Sequence, residues 1–340
     1  MQTANIDASA TAEWDAGKGF APIGDSTTRF SGIYQGKGYT IKGLTIDRTA
    51  ENHVGLFGYT DSTAIVDSLG VVESSITGNY SVGALIGYNG NGTVTHCYSS
   101  GSVTGDEDFG GLIGVNEGSV VSSYSTSSVT GYSYSGGLVG YNNGGEVRKC
   151  YSTGSVEALV EDAGGLVGYN EGDLINSYST GSVTGEDFVG GLVGYNDSTV
   201  TSCYWDVESS GTATGIGKDD KSQSVTGLTT AKMKQKSSFV GWDFSTIWSI
   251  KEGVSYPKLR IFEDESQSIS PYLAINTGSL KPVAGGVEIS GVRGRLDLYN
   301  ISGARLTTLN VTSDGFYPLQ QQPGLYILRG AGQSWKVLQK

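Results

Sequence analysis

Proline is scarce in this chain of 340 residues, with 6, and cysteine scarcer still, with 3. So small and odd a cysteine set excludes a disulfide-stapled scaffold. Only His53 and His96 supply imidazole, and no CxxC or His-Glu-x-x-His occurs. A Walker loop and a Gly-x-Ser-x-Gly elbow are also missing, so phosphate-loop and serine-hydrolase chemistry lack their residues. No apolar run approaches the roughly 18 residues of a transmembrane helix, and no membrane insertion is expected. The opening Met1-Gln2-Thr3-Ala4-Asn5 has neither the basic stretch nor the apolar core of a signal peptide. Amphipathic helical patterning is nearly absent, the best short candidate being Thr229–Lys236. Basic charge is missing from the middle of the chain. Between Val54 and Gly217 eighteen Asp and Glu face only Arg148 and Lys149, in a chain of net charge −12. Nucleic acid and anionic lipid need clustered Lys or Arg and are excluded as partners of this region. Cations, neutral glycans and basic protein surfaces remain compatible with it.

What the chain does hold is glycine, 53 residues, and tyrosine, 20. Glycine shows no period of three, which excludes collagen. Tyr with abundant Ser, Thr, Val and Asn is a β composition. A phrase close to Gly-Gly-Leu-Val-Gly-Tyr-Asn recurs six times, with its leucines at Leu56, Leu85, Leu112, Leu138, Leu166 and Leu192, 26–29 residues apart. A second phrase, Ser/Cys-Tyr-Ser-x-Gly-Ser-Val-Thr-Gly, places tyrosines at Tyr98, Tyr124, Tyr151, Tyr178 and Tyr204 between them. A fixed period of this size marks an array whose units bury their apolar faces against their neighbours. Each unit reads as three short strand-like runs separated by Gly, Asn, Asp and Glu turns. Helices fail on glycine content, and a propeller blade of about 40 residues is too long for the unit. The expected fold is therefore all-β: a right-handed parallel β-helix with three short strands per coil.

Columns of equivalent residues then acquire roles. Leucines and the valines Val103, Val129, Val156 and Val183 should face the core. Adjacent Leu and Val in Gly-Gly-Leu-Val-Gly cannot both point inward from one regular strand, so one column should form an outer ridge or be covered. Asn89, Asn116, Asn142, Asn170 and Asn196 form a turn column able to hydrogen-bond from rung to rung. Cys97, Cys150 and Cys203 precede repeat tyrosines, with Ser123 and Ser177 in the same slot between them. That sets the cysteines two rungs apart, about 9.6 Å, beyond the roughly 7 Å a disulfide spans between Cα atoms. Three free, buried thiols are expected. Tyr88, Tyr141, Tyr169 and Tyr195 form an aromatic column that either stabilises neighbouring rungs or contacts a glycan or protein partner. The acidic turns Asp106-Glu107-Asp108, Glu161-Asp162 and Glu186-Asp187 offer oxygen ligands for Ca²⁺, though a solvated acidic edge explains them as well.

The two phrases and their spacing, over about Gly55–Gly217, resemble the GLUG repeat of bacterial surface and secreted proteins. That family includes large adhesins and the non-catalytic part of immunoglobulin A metallopeptidases. Upstream, Trp14, Gly19-Phe20 and Gly36-Lys37-Gly38-Tyr39-Thr40-Ile41 look like the segment that leads into such arrays. Downstream, Cys203-Tyr204-Trp205-Asp206 and Val240-Gly241-Trp242-Asp243-Phe244 through Trp248 look like its closing segment. A closing segment suits an end cap in which Trp242, Phe244 and Trp248 cover the open core. After the polar stretch Glu263-Asp264-Glu265-Ser266-Gln267-Ser268, two pairs of strand-like runs, around Leu296–Leu306 and Gly324–Leu338, are similar to the C-terminal sorting domain of the Bacteroidetes type IX secretion route. The expected domains are residues 1–215 for the β-helix, 216–262 for its Trp-rich cap and 266–340 for a C-terminal β-sandwich.

The resemblance implies a non-enzymatic, secreted or cell-surface, adhesin-like protein, monomeric and without a cofactor, presenting a surface to an extracellular glycan or protein ligand. The peptidase's His-Glu-x-x-His does not occur here, so that activity does not carry over. A polysaccharide lyase or glycoside hydrolase on a β-helix is the alternative, and a structural stalk the third. Hydrolysis needs two carboxylates about 5–9.5 Å apart, one with a raised pKa, which an exposed turn is not expected to provide.

Overall fold

The computed structural model describes residues 1–263 continuously and, beyond them, seven strands between Ser279 and Gln339. The chain divides into two units, Met1–Ile261 and Phe262–Lys340. The first is a parallel β-solenoid. Two of its faces are seven-stranded sheets and the third face is a larger sheet of sixteen strands.

One coil shows how the repeat phrases make the three faces. Glu146–Arg148 forms the first, Tyr151–Ser152 with Val156–Gly164 the second, and Val167–Asn170 the third. The next coil begins at Asp173, in register with Glu146. Three kinds of corner join the faces. Before each Cys or Ser slot a residue takes the left-handed conformation: His96, Ser122, Lys149, Asn176 and Ser202, with φ between 48° and 56°. This is a conformation that costs an L-residue about 1–2 kcal/mol and recurs because the surrounding rungs over-determine it. The second corner is Gly-Gly-Leu, and the third is the asparagine turn.

The Gly-Gly-Leu corner resolves the adjacent Leu and Val columns in a way that strand alternation does not anticipate. Leu138 and Val139 are both fully buried, as are Leu166 with Val167 and Leu192 with Val193. No outer ridge forms, because the leucine precedes the strand. Val139 begins it, and the amides of Leu112 and Ile113 both donate to the single carbonyl of Leu138, each at 3.0 Å. Two consecutive amides sharing one acceptor turn the chain, so two consecutive side chains enter the core. The glycine after the valine is set by close approach. A Cβ on Gly140 would lie 2.5 Å from the carbonyl carbon of Asp108 and from the amide nitrogen of Phe109.

Columns expected inside are inside: Val103, Val129 and Val156 are each 1% exposed. The asparagine column is a continuous buried ladder. Asn89 donates to Asn116 at 2.8 Å, Asn116 to Asn142 at 2.8 Å, Asn142 to Asn170 at 2.9 Å and Asn170 to Asn196 at 2.8 Å. Each chain of amides polarises the next, and a gap leaves a buried donor and acceptor without partners. Asn142→Ala is therefore expected to cost about 2–4 kcal/mol, measured as a shift of the calorimetric or urea midpoint.

Cys97, Cys150 and Cys203 are free and buried, and burial pushes each thiol up to about 12. Their Sγ atoms lie 3.2–3.3 Å from the carbonyl two residues back. Ser123 and Ser177 donate to the equivalent carbonyl at 2.9 and 2.8 Å and also accept the amides of Cys97 and Cys150. The slot takes any small side chain that satisfies this corner.

Two boundaries move. Parallel pairing continues past residue 215, with Ile216–Asp219 on Val193–Asn196 and Thr226–Leu228 on Tyr204–Asp206. Residues 216–228 therefore build the last coil, and the helix Thr230–Met233 follows within the predicted helical stretch. The tryptophan segment does not cover the open end of the core. Trp242 and Trp248 pack on the side of the solenoid, their rings 6.1 and 6.0 Å from Tyr178, and the Trp242 indole donates to the Ser202 carbonyl at 3.0 Å. Tyr178, Tyr151 and Tyr204 are buried beneath this strap. The rung below that last coil is filled by Trp205, paired with Ser179 on one side, where earlier rungs hold serine, and with Gly227 on the other. A solenoid side face bearing stacked apolar rings needs cover as much as its end does.

In the second unit, Ser279–Val283, Gly286–Ser290 and Gly315–Pro318 form one antiparallel sheet. Arg305–Val311, Gly294–Asn300, Gly324–Gly330 and Gln333–Gln339 form another. The predicted boundary at residue 266 lies outside the described residues.

Candidate functional site on the tyrosine-bearing face

Tyr59, Tyr88, Val115, Tyr141, Tyr169, Tyr195 and Lys218 share one position on successive third-face strands. The row is only half-buried at its central rings, because Tyr points away from the core that Val139 and its equivalents fill. Tyr59 and Tyr88 stack at 4.4 Å, and Tyr169 and Tyr195 at 4.7 Å. Tyr141 meets Tyr169 edge-on at 5.2 Å. Hydroxyls are tied to acids on the same side of the molecule. Tyr88 donates to Glu117 at 2.5 Å, Tyr141 to Glu171 and Tyr195 to Asp220. The row joins flat apolar faces to carboxylates with spare acceptor lone pairs.

The acidic residues expected at turns lie instead in or beside strands and separate into two sets. Glu107, Ser133, Glu161 and Asp187 are in register on the second face, with Asp106 and Glu186 exposed beside them. Ser133 interrupts that column, leaving only Glu161 and Asp187 as direct neighbours. Asp108 and Asp162 belong to a different column of left-handed residues, with Ser81, Tyr134 and Phe188, φ between 51° and 61°. Among the described residues no group of three or more His, Cys, Asp or Glu is arranged to hold a metal ion.

This left-handed column runs beside the tyrosine row. Tyr134 meets Tyr169 edge-on at 5.4 Å, and Phe188 meets Tyr195 at 6.0 Å. One coil earlier in the array, His53, also left-handed, lies 5.2 and 5.4 Å from Tyr59 and Tyr88. Asp108 contacts Ser81 at 3.5 Å. Asp162 is 2% exposed and its Oδ1 has no hydrogen-bond partner. Burial, then the charge of Glu161, pushes Asp162 up to about 7 against a weaker pull from Lys218. Burial, then Glu107, pushes Asp108 up to about 6. The expectation that these turns would not raise a carboxyl pKa is thus corrected. The left-handed bend turns both side chains off the solvated edge and in beside the rings, where the charged form is poorly solvated.

The raised pKa carries a stability consequence. In the unfolded chain Asp162 ionises near pH 4, so the folded state loses stability as pH rises from there through about 7. Asp162→Asn removes that loss. Its unfolding free energy from urea denaturation should match wild type near pH 4 and exceed it at pH 8, by about 2 kcal/mol once solvent screening is allowed for. A constant difference between the two pH values would contradict the assignment.

Sequence reasoning identified the tyrosine row and the acids but missed the left-handed column. Residue type gave only a weak signal. Four residues before successive repeat leucines stand Ser81, Asp108, Tyr134, Asp162 and Phe188, but the neighbouring columns (Tyr80, Glu107, Ser133, Glu161, Asp187 and Val82, Phe109, Ser135, Ala163, Val189) vary as much, so variability does not single this one out.

A parallel β-solenoid with repeated core columns is a repeat scaffold. The family model of the GLUG motif matches residues 78–104, 131–157 and 161–184. Halomucin of Haloquadratum walsbyi is 42% identical over 120 residues, which cover 34% of this chain and 1% of that protein. A candidate Gly-rich membrane protein of Evansella cellulosilytica is 42% identical over 81 residues, covering 22% of this chain and 9% of its own length. The chain thus spans a small part of either relative. The crystal structure of a candidate immunoglobulin A1 protease from Bacteroides ovatus superposes with TM-score 0.52 and 21% identity, over 76% of this chain and 85% of that one. That likeness is one of fold.

Proposed function

We propose that this chain is a secreted or cell-surface, adhesin-like protein whose solenoid presents the tyrosine row to an extracellular glycan or protein ligand, a glycan being favoured. The observation that carries this reading is the row itself, half-buried tyrosines on successive rungs with acceptor carboxylates beside them. GLUG-type repeats and the relatives' names support a place at the cell surface. Among the described residues no helix is long and apolar enough to cross a membrane. The antiparallel sheets of the second unit support a sandwich of the sorting-domain kind, and export by that route belongs to the same proposal.

A glycan array followed by calorimetric titration tests the reading. Tyr141→Ala and Tyr169→Ala should each weaken binding about tenfold, a ring's contribution of roughly 1.5 kcal/mol, with the circular dichroism spectrum unchanged. Binding that survives both substitutions would move the ligand off this face. One observation favours a second reading, a polysaccharide-active enzyme: Asp162 has the raised carboxyl a general acid needs, and Asp108 lies two rungs away, about 9.6 Å by strand spacing. Turnover of a polysaccharide that is abolished by Asp162→Asn would establish that reading in place of the first. A stalk predicts neither binding nor turnover.

A further inference from the structure

The tyrosine row holds internal cations at its two ends. Arg29 lies over Tyr59, its guanidinium carbon 4.4 Å from the ring centre. At the far end the Lys218 ammonium lies 5.3 Å from the centre of Tyr195 and 5.5 Å from that of Phe188. Between them, no cation of the described residues stands over Tyr88, Tyr141 or Tyr169. Yet acids gather there: Asp162, Glu161, Glu107 and Asp108 all act on Tyr134. Asp108 and Asp162 flank Tyr134 in the left-handed column, and Glu117 and Glu171 accept the hydroxyls of Tyr88 and Tyr141. Asp162 is nearly fully buried with an oxygen that nothing in the protein satisfies.

A buried carboxyl oxygen without a donor favours a ligand that brings one, and aromatic rings attract cations through their quadrupole. Lys218 already supplies that combination at the end of the row, lying over two rings and attracted to Asp162. The middle of the row offers the same surroundings with the cation missing. We propose that the Tyr141–Tyr169 stretch, backed by Asp108 and Asp162, binds the ammonium group of an amine-bearing saccharide, a chain containing unacetylated hexosamine. This rests on the glycan reading above and narrows it. Tyr141, Tyr169 and Tyr195 on successive rungs, about 4.8 Å apart along the axis, suit a polymer laid along that axis. The carboxylates beside the row exclude uronates and sulfated chains and retain lone pairs for sugar hydroxyls.

The test is calorimetric titration of the full chain, at low ionic strength and pH 7, with a glucosamine hexamer and with its fully N-acetylated counterpart. The amine-bearing hexamer should bind at least tenfold tighter, and the difference should shrink as salt is added. Asp162→Asn, expected to fold at least as well as wild type, should lose about tenfold for the amine form and little for the acetylated one. Tyr169→Leu should weaken both. Equal affinity for the two hexamers overturns the ammonium site and leaves the glycan reading standing. If neither hexamer binds while another saccharide binds through Tyr141 and Tyr169, the ammonium site alone falls. If no saccharide binds, or a lysine-rich peptide alone does, both fall.

Discussion

Replacing Leu138 by aspartate is expected to unfold the centre of the solenoid. Leu138 is fully buried at a corner, in one continuous core cluster with Leu112 and Leu166 of the rungs on either side. An aspartate there has no cation to meet and no water to reach. An uncompensated buried charge costs several kcal/mol beyond the lost packing, a large part of the roughly 5–15 kcal/mol by which proteins are stable. Leu138→Ala, which leaves a cavity and no charge, should lose about 2–5 kcal/mol and still fold. Circular dichroism melting of the two variants separates the cases. An aspartate variant that melts like wild type would place Leu138 outside the core.

The second large effect belongs to Gly140. Its missing side chain is what allows the third-face strand to lie against the left-handed bend at Asp108, and the atoms a methyl would strike are backbone, at 2.5 Å. Backbone held by ladders on both sides cannot step aside as a flexible side chain does. Gly140→Ala is expected to cost about 3 kcal/mol or more, at the upper end of overpacking effects. Gly144→Ala is the control. Gly144 has φ of 72° but open space around it, so its substitution should cost only about 1 kcal/mol of backbone strain. If the two variants lose equal stability, close approach is not what selects glycine at 140. The Asp108 bend depends on the same contact, so Gly140→Ala should also disturb the carboxyl beside Tyr134.

Much of the array was legible because repetition multiplies weak signals. One Gly-Gly-Leu is ambiguous, but six at 26–29 residues dictate rungs, and rungs dictate columns. Asn142 was placed in a ladder, and Cys97, Cys150 and Cys203 were kept apart, by counting alone. Reasoning failed where local geometry departs from a regular strand. Leu138 and Val139 both face inward because shared acceptance at one carbonyl turns the chain between them. Asp108 and Asp162 were grouped with Glu107 and Glu161 as one acidic edge. A single left-handed residue sends each pair's members to different columns, one solvated and one beside the rings. The closing segment was recognised by its tryptophans and misplaced, since composition says that Trp242 and Trp248 need cover and not which surface they cover.

By itself the sequence determined the period, the β character and the identity of the core and ladder columns. Those properties follow from residue type and spacing, which stacking simply repeats. Only the tertiary structure decided that Trp205 fills the core beneath the last coil, that Trp242 straps the flank, and that Asp162 is buried, with an unsatisfied oxygen, beside a half-buried tyrosine row. Each depends on which side of the chain a residue leaves at a corner. That direction is set by a left-handed dihedral or a shared hydrogen bond, and residue spacing carries no trace of either.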